Sequence, residues 1–483
     1  MTHTSDTYRP ALTRATAHAL NYLDGLATAP VSATATLAEL RGRLAHPLSD
    51  KGLDAPRVID ELTADVAGGL IGSAGGRFFG WVMGGSAPVA LAADWLTSAW
   101  DQNAAIYACS PAGGVVEEVC GVYLKELLGL PPRASFALVT GTQMAHVICL
   151  AAARHALLAR RGWDVEQRGL TRAPELRVVC GAERHGTVDR AVRLLGLGSD
   201  HILPLPLDDR SRLRVDALRD ALRGDSDAPT IVVLQAGELN TGAFDRFTDL
   251  IPMAHEHGAW VHIDGAFGLW AAASPDHRHL MNGGALADSW STDGHKWLNV
   301  PYDSGYAFVA DAASHHASMT HRSSYMMHEG DARDEVDWNP EWSRRARGFA
   351  TYATIRHLGR DGVAELIDRC CRQATTLVER IGGLPGAKAM WEPLINQGLV
   401  RFLDERAGAS EADHDARTDR VIEEILTAGE AFFGGVTWRG TRCMRISVSN
   451  WQTSETDVDR AVAAVARAIE AAKDAYAGSG SSV

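Results

Sequence analysis

Residues 230–264 have the sequence TIVVLQAGELNTGAFDRFTDLIPMAHEHGAWVHID, and this stretch decides the fold class. It opens with the β-branched run TIVVLQ and closes with the short apolar run AWVHID. Between them, the segment from about Phe247 to His257 has the spacing of an amphipathic helix. A strand, a helix and a second strand in this order predict two parallel neighbours in one sheet.

The same alternation begins upstream, at about Phe136. Three further strand-like runs, FALVT, LRVVC and HILPL, are each followed by a helical segment. Strands that alternate with helices predict an α/β protein with a mostly parallel sheet that is covered on both faces. Ligands bind such sheets at the carboxyl ends of the strands, so the residues just after each run are the candidates for function.

The regions on either side of this sheet predict further units. Residues 1–75 are rich in Ala and Leu with helical spacing and are expected to form an N-terminal helical segment, while residues 76–346 contain the large sheet domain. Helical and strand-like runs alternate again in residues 347–476, which predicts a smaller C-terminal α+β domain. The Gly/Ser-rich tail, residues 477–483, is expected to be disordered.

Composition narrows the class of protein. With 46% hydrophobic and 22% charged residues, the 483-residue chain is typical of a globular protein and not of a disordered or fibrous one. Its net charge of −13, from 47 Lys and Arg against 60 Asp and Glu, argues against nucleic acid or an anionic membrane as a partner. Small-molecule partners are therefore expected.

Cysteine usage indicates the compartment. The seven cysteines are an odd number with no C-x-x-C spacing, which fits neither a disulfide framework nor a zinc site. We expect a cytoplasmic protein without a bound metal. The first residues lack a basic segment followed by an apolar one, and the longest uncharged stretch, between Arg77 and Asp94, is too short to span a bilayer, so neither a secretory signal nor a membrane span is expected.

Two charged residues stand where the predicted sheet would bind a ligand. Asp264 is the last residue of the run AWVHID, and Lys296 lies in the segment STDGHKW of residues 291–297. Their separation of 296 − 264 = 32 residues is compatible with neighbouring strand ends joined by one crossover. A pyridine ring between them would explain both, with its ring nitrogen paired to Asp264 and its aldehyde bound by Lys296 as a Schiff base. Alone, Asp264 is equally well explained as a helix cap, and a lone lysine is more often a solvated surface charge.

Two other strand ends have polar candidates. The turn Thr140-Gly141-Thr142-Gln143 separates a strand from a helix and could present N–H groups to a phosphate, although an ordinary N-cap explains it almost as well. No nucleotide-binding glycine motif follows a strand. His185, after LRVVC, could stack on a flat cofactor or donate a proton, or could be a hydrogen-bonded bystander.

In chain order, the phosphate turn, the histidine, the aspartate and the lysine resemble the pyridoxal 5′-phosphate (PLP)-dependent group II amino acid decarboxylases, the family of the aromatic amino acid, histidine and glutamate decarboxylases. The resemblance extends from about Arg77 to Asn450. Its most specific segments are HKW at 295–297, D-x-A at 264–266, HGT at 185–187, NTGAFD at 240–245 and SPA at 110–112. It implies fold type I, the aspartate aminotransferase-like fold, and a homodimer in which the N-terminal helices wrap around the partner.

The resemblance also implies roles for particular residues. Lys296 would bind PLP covalently, Asp264 would pair with the ring nitrogen, and Ala266 and His185 would pack on opposite faces of the ring. The phosphate would be bound by a set of residues from the turn and from the lysine motif: Gly141, Thr142, Gln143, Asp293 and His295. Catalytic residues would be Lys296, His185 and Tyr325, the last as the proton donor from a mobile loop.

The segment RFFGW at 77–81 resembles the family's substrate-pocket loop, so Phe78, Phe79 and Trp81 are substrate-pocket candidates, with simple core packing as an equal alternative.

Three departures from the family pattern surround the expected cofactor. Gln143-Met144-Ala145-His146 replaces the usual Ser/Thr-Glu-Ala-Asn, Glu238-Leu239 replaces Thr-Thr, and Gly75-Gly76 replaces His-Pro. Groups around the imine decide which bond breaks, so these changes bear on reaction type and substrate.

The expected reaction is decarboxylation of an L-amino acid, with an aromatic or bulky side chain favoured, to the amine and CO₂. The alternatives are an aminotransferase, an aldehyde-forming decarboxylase, an eliminating or retro-aldol lyase on the same scaffold, and a scaffold without activity.

Overall fold

The computed structural model describes residues 7–224, 227–321 and 330–479, with side chains described to residue 473. The helices of this part of the chain are α1 Arg9–Gly25, α2 Leu37–Leu44, α3 Ala55–Asp65, α4 Pro88–Trp100, α5 Pro111–Leu127, α6 Thr142–Ala159, α7 Val165–Arg168, α8 Gly186–Leu194, α9 Val215–Gly224, α10 Phe247–Glu256, α11 Ala312–Met319, α12 Gly348–Gly382, α13 Glu411–Ala428 and α14 Glu455–Ser479. The strands are β1 Ser135–Val139, β2 Arg177–Gly181, β3 Ile202–Leu205, β4 Thr230–Gln235, β5 Trp260–Asp264, β6 Ser289–Asp293, β7 Gly305–Val309, β8 Ala387–Trp391, β9 Gln397–Phe402, β10 Gly434–Trp438 and β11 Thr441–Ser447.

Seven strands form the large sheet, in the order β1-β7-β6-β5-β4-β2-β3. The pairs β3/β2, β2/β4, β4/β5 and β5/β6 are parallel, and β7 is antiparallel to both of its neighbours. Every residue of β4, β5 and β6 is buried, as expected of a sheet with helices on both faces. The predicted α/β class with a mostly parallel sheet is confirmed.

The register of three neighbouring strands positions the site. Gln235 of β4 pairs with Asp264 of β5, and Asp264 pairs with Ser291 of β6. The carboxyl ends of the three strands therefore lie side by side at one edge of the sheet. Lys296 follows the end of β6 by three residues, which brings it to the same edge as Asp264.

A smaller unit follows the large sheet. Its four strands are antiparallel in the order β10-β11-β9-β8; α12 and α13 pack on them, and α14 packs on α12 and α13. The helix α14 extends to Ser479, beyond residue 476 where the sequence analysis begins the disordered tail, and residues 480–483 lie outside the described residues.

The N-terminal helices lie largely on the surface. None of α1, α2 and α3 buries a residue, and several of their leucines are half exposed or more, among them Leu12, Leu37 and Leu62. Within the described residues, no helix is both long and apolar enough to cross a membrane. These helices thus present apolar side chains that the single chain leaves uncovered.

Candidate active site

A cavity of about 530 Å³ lies at the carboxyl ends of β4, β5 and β6. Ten of the residues predicted from the sequence line it. They come from the turn before α6, the segment after β2, the ends of β5 and β6 and the loop before α4. The ten are Gly141, Thr142, Gln143, His185, Asp264, Ala266, Asp293, His295, Lys296 and Trp81. Two grooves of about 730 and 670 Å³ lie elsewhere on the surface, but no lysine lines either of them. The cavity of about 530 Å³ is therefore the candidate site.

Asp264 is a buried, ionised carboxylate at the base of this cavity. The Ala266 N–H donates to Oδ1 (3.1 Å), while Oδ2 lies 3.5 Å from Nε2 of His146. Burial alone would raise the pKa of Asp264, but the adjacent His146, His185 and Lys296 outweigh it and hold the pKa well below its usual range. Oδ1 thus caps the turn that follows β5. The carboxylate stays ionised and lines the cavity.

Lys296 is held on the opposite side of the cavity by a second buried acid. Its Nζ lies 3.0 Å from Oδ2 of Asp293, and its side chain is 22% exposed. Burial opposes ionisation of Asp293, but Lys296 and His295 lower its pKa further than burial raises it. The lysine is therefore neither a free surface charge nor sealed from a ligand in the cavity.

The turn before α6 is tied to Asp293. The Thr142 N–H donates to Oδ1 of Asp293 (2.6 Å), so this N–H of the helix N-terminus is already occupied. The Thr142 hydroxyl is buried and has no hydrogen-bond partner among the described residues. A Cβ at Gly141 would lie only 3.1 Å from the His295 ring, so the turn needs a small residue there. Asp293 therefore holds both the turn before α6 and Lys296 in place.

His185 lies at the start of α8, at the cavity wall. The Thr187 N–H donates to its Nδ1 (3.2 Å), and the Thr187 hydroxyl lies 2.8 Å from the same nitrogen. Nδ1 therefore acts as an acceptor and the neutral ring has its proton on Nε2. Desolvation lowers the pKa of His185, with Lys296 and His146 contributing, although Asp264 opposes them. A neutral imidazole suits stacking on a ring.

The assignment of Phe78 and Phe79 to the substrate pocket is corrected by the structure. Neither lines the cavity: Phe78 stacks on Phe432 with ring centroids 4.5 Å apart, and Phe79 stacks on Phe433 at 5.1 Å. Both rings are buried, because the loop pairs with the segment before β10, as in the Phe79 N–H donating to the Phe432 carbonyl (2.8 Å). The core-packing alternative is right for these two residues.

Trp81, from the same loop, does line the cavity and is 54% exposed. The loop lies against the lysine segment, since a Cβ at Gly84 would be 1.7 Å from the Lys296 carbonyl oxygen. Tyr325, the predicted proton donor, lies outside the described residues.

Sequence reasoning missed several residues of the site. Tyr302 lines the cavity, and its ring stacks on His295 at a centroid distance of 4.3 Å, while Leu239, noted from the sequence only as a departure from the family pattern, lines it too. Arg445 of β11 is buried and donates to the Leu239 carbonyl over a long 3.5 Å. Desolvation lowers the pKa of Arg445, which Glu238 opposes. No spacing rule links β11 to the large sheet, so Arg445 could not have been found by local patterns.

The residues around the cavity fit PLP. An ionised acid is available for the ring nitrogen, a lysine for the aldehyde, and the unpartnered Thr142 hydroxyl for the phosphate. A lysine and a carboxylate facing one cavity at the carboxyl ends of a mainly parallel sheet define a PLP enzyme of fold type I.

The comparisons with known proteins agree with this class. The family model described as the pyridoxal-dependent decarboxylase conserved domain matches residues 39–400, so the chain belongs to the pyridoxal-dependent decarboxylase family. Members of this family are PLP-dependent carboxy-lyases that act on amino acids.

Two curated relatives and one solved structure illustrate the similarity. The chain is 25% identical over 452 residues to an aromatic-L-amino-acid decarboxylase of Bacillus atrophaeus, covering 91% of this chain and 90% of the relative. It is also 25% identical over 451 residues to a 4-hydroxyphenylacetaldehyde synthase of Rhodiola rosea, with the same coverage. The Oryza sativa TDC solved with PLP and tryptamine has the same fold, with a TM-score of 0.90, 24% identity and coverage of 98% of this chain and 99% of that one.

Proposed function

We propose that this enzyme decarboxylates an L-amino acid with a bulky apolar side chain, giving the amine and CO₂. The observation that supports this most directly is that Lys296 and Asp264, from neighbouring strand ends, line one cavity. PLP, when bound, supplies an electron-withdrawing ring that takes up the electron pair left on Cα as the carboxylate departs.

The chain's own residues bind and orient the cofactor. Lys296 Nζ would hold the cofactor through its aldehyde carbon. Asp264 keeps a proton on the ring nitrogen, because a buried carboxylate with a low pKa favours a cationic partner. His185 and Ala266 confine the ring from either face, and Asp293 holds the turn that receives the phosphate.

The walls of the cavity favour an apolar substrate side chain. Trp81, Val82, Met83, Leu239 and Phe267 all line it. Leu239 stands where many relatives have a threonine, so this chain has exchanged a hydroxyl for an apolar surface at the cavity wall. A charged side chain would find few polar partners among these residues, and its desolvation would be unfavourable.

Arg445 is suited to orienting the substrate carboxylate. It is a buried guanidinium next to Leu239, and within the described residues its side chain donates a long hydrogen bond of 3.5 Å to the Leu239 carbonyl. Arginine binds carboxylates with two parallel hydrogen bonds, which would fix the Cα–carboxylate bond relative to the ring.

A labelled-substrate assay tests the proposal. The PLP-loaded enzyme is screened with carboxyl-labelled L-amino acids, and we expect released labelled CO₂ with one amine product for a bulky apolar substrate. Lys296→Ala should abolish turnover, with Lys388→Ala as a matched control away from the cavity. Transamination without CO₂ release, or full turnover by Lys296→Ala, would contradict the proposal.

A second candidate is aldehyde-forming decarboxylation, favoured by the similarity to the Rhodiola rosea synthase. The same screen separates the two, because only the second consumes O₂ and releases ammonia and an aldehyde.

We also propose that the protein is a cytoplasmic homodimer. The uncovered leucines of α1, α2 and α3 support a subunit interface, and seven cysteines without a disulfide fit a reducing compartment.

A further inference from the structure

A row of polar side chains runs through the apolar interior behind Asp264. Trp260, His262 and Asp264 alternate along β5, so all three project from the same face of the sheet. Opposite that face lies α6, which contributes His146, and the neighbouring strand β6 contributes Ser289. All five side chains are buried. A polar row in such a place has to be internally hydrogen-bonded to be tolerated.

The distances connect the row as far as His146 and bring it within 3.5 Å of Asp264. The Trp260 indole N–H donates to Oγ of Ser289 (2.9 Å), and the same oxygen lies 3.0 Å from Nδ1 of His262. Nε2 of His262 lies 2.9 Å from Nδ1 of His146, whose Nε2 in turn lies 3.5 Å from Oδ2 of Asp264. This last contact is longer than an ordinary hydrogen bond, and Nε2 of His146 is a buried nitrogen without a hydrogen-bond partner in the described part of the chain.

The chemistry of the two ends fixes the direction of the hydrogen bonds. An indole N–H can only donate, and an ionised carboxylate can only accept. If the Ser289 hydroxyl accepts from Trp260, it donates to Nδ1 of His262, whose proton then resides on Nε2 and is donated to His146. Nδ1 of His146 is thereby an acceptor, and its remaining N–H, on Nε2, is the donor of the row nearest to Asp264.

His262 is neutral in this arrangement. Burial, helped by His146, lowers the pKa of His262 to about 3. The Ser291 hydroxyl lies beside the junction, 3.3 Å from Nδ1 of His146 and 3.5 Å from Nε2 of His262, so it can donate to the first and accept from the second. The row therefore places an N–H of His146 beside Asp264 without a positive charge on His262.

We propose that His146 and His262 are positioning residues that, through the hydrogen-bond row starting at Trp260, keep Asp264 ionised and aimed at the ring nitrogen of PLP. Asp264 is the group that touches the cofactor, and the two histidines act through it. Without the N–H from His146 the carboxylate becomes more basic, and the shared proton moves from the ring nitrogen toward Asp264. The ring then withdraws electrons less strongly.

His146 is also where this chain departs from the usual Ser/Thr-Glu-Ala-Asn helix start. The inference rests on the proposed function only through the binding of PLP, and its readouts need no substrate.

The test measures PLP affinity of the apoprotein and the ¹⁵N chemical shift of bound [¹⁵N]PLP. For His146→Leu we expect about tenfold weaker binding, in line with the loss of one hydrogen bond to a charged group, and a ring-nitrogen shift moved toward the unprotonated value. His146→Gln, whose amide can both accept and donate, should stay closer to the wild type in both readouts. Trp260→Phe, which removes the first donor, should move the shift in the same direction by less.

His315→Leu is the matched control. His315 is equally buried and bonded at both ring nitrogens, to the Ser135 hydroxyl (2.8 Å) and the Trp338 carbonyl (2.7 Å), but lies on α11 away from the cavity. It should lower the unfolding temperature and leave the ¹⁵N shift unchanged.

If His146→Leu does not fold, the ¹⁵N shift of [¹⁵N]PLP bound to Trp260→Phe tests the inference instead. An unchanged shift in the folded variants of the row would overturn the inference and leave the proposed function standing. Failure of the wild-type protein to bind PLP would overturn both.

Discussion

At the scale of single residues, the account depends on the charge of Asp264. Replacing it by Asn keeps the shape of the side chain but removes the charge that holds a proton on the ring nitrogen. We expect Asp264→Asn to retain covalently bound PLP through Lys296 and to lose at least about 100-fold in kcat, because electrostatic stabilisation of this kind is worth several kcal/mol. Cofactor content and the rate of CO₂ release measure the two effects separately.

A loss of PLP together with activity would show instead that Asp264 serves binding alone. Retention of more than half of the wild-type kcat would contradict its role.

A second prediction at this scale concerns Tyr325 and the type of product that the enzyme releases. If its hydroxyl protonates Cα after CO₂ leaves, Tyr325→Phe should shift the product from the amine to the aldehyde, with O₂ consumption and ammonia release. Product analysis by mass spectrometry with an oxygen electrode checks this. The Tyr302→Phe variant is the matched control, and unchanged amine formation by Tyr325→Phe would remove Tyr325 from the mechanism.

Sequence patterns could locate a candidate residue at the cavity where that residue follows a recognisable strand. Asp264 and His185 each end or follow such a run and line the cavity. It failed for Phe78 and Phe79, because an aromatic pair in a loop has the same local pattern whether it faces a ligand or packs on Phe432 and Phe433.

At the scale of elements, a pH-sensitive contact joins α10 and β5 to Asp288, the residue before β6. Nε2 of His255 lies 2.9 Å from Oδ2 of Asp288, which also accepts the Val261 N–H (2.7 Å). The contact raises the pKa of His255 above its ordinary value of 6.5. The folded state therefore binds the proton more tightly than the unfolded chain does, and the pair stabilises the fold below pH 6.5 and loses this effect as the pH rises through the raised pKa.

We expect His255→Asn to lower the unfolding midpoint at pH 6 and to match the wild type at alkaline pH. The effect should be below about 1 kcal/mol, because the pair is partly exposed. Chemical denaturation of the apoprotein at several pH values measures it, with His257→Asn as the control, since its ring contacts the Met253 carbonyl and not a carboxylate. A difference between His255→Asn and wild type that does not vary with pH would contradict the prediction.

The elements that the sequence predicted are those with strong periodicity. The runs TIVVLQ and AWVHID became β4 and β5, and the helix expected from about Phe247 begins there. β6 was not assigned, because its sequence SWSTD is polar and is buried only through partners such as the Trp260 indole. β7 was not assigned either: it follows β6 without an intervening helix, so the alternation of strands and helices gives no signal for it.

At the scale of the whole molecule, the uncovered N-terminal helices predict the oligomeric state. Leu12, Leu37 and Leu62 are each half exposed or more in the single chain, and covering them with a second copy would bury apolar surface. We expect a sedimentation mass twice that of one chain. Leu62→Glu should shift the equilibrium toward the monomer, and Leu286→Glu, an equally exposed leucine on the large domain, should not. A wild-type monomer at micromolar concentration would contradict the prediction.

The most direct test of the account is where PLP attaches. The chain has five lysines, Lys51, Lys125, Lys296, Lys388 and Lys473, so reduction of the PLP-loaded protein with borohydride followed by peptide mass mapping gives an unambiguous answer. We predict one modified peptide, the one that contains Lys296, with the other four lysines unmodified. A stoichiometric label on any other lysine, or a label spread over several of them, would contradict the account.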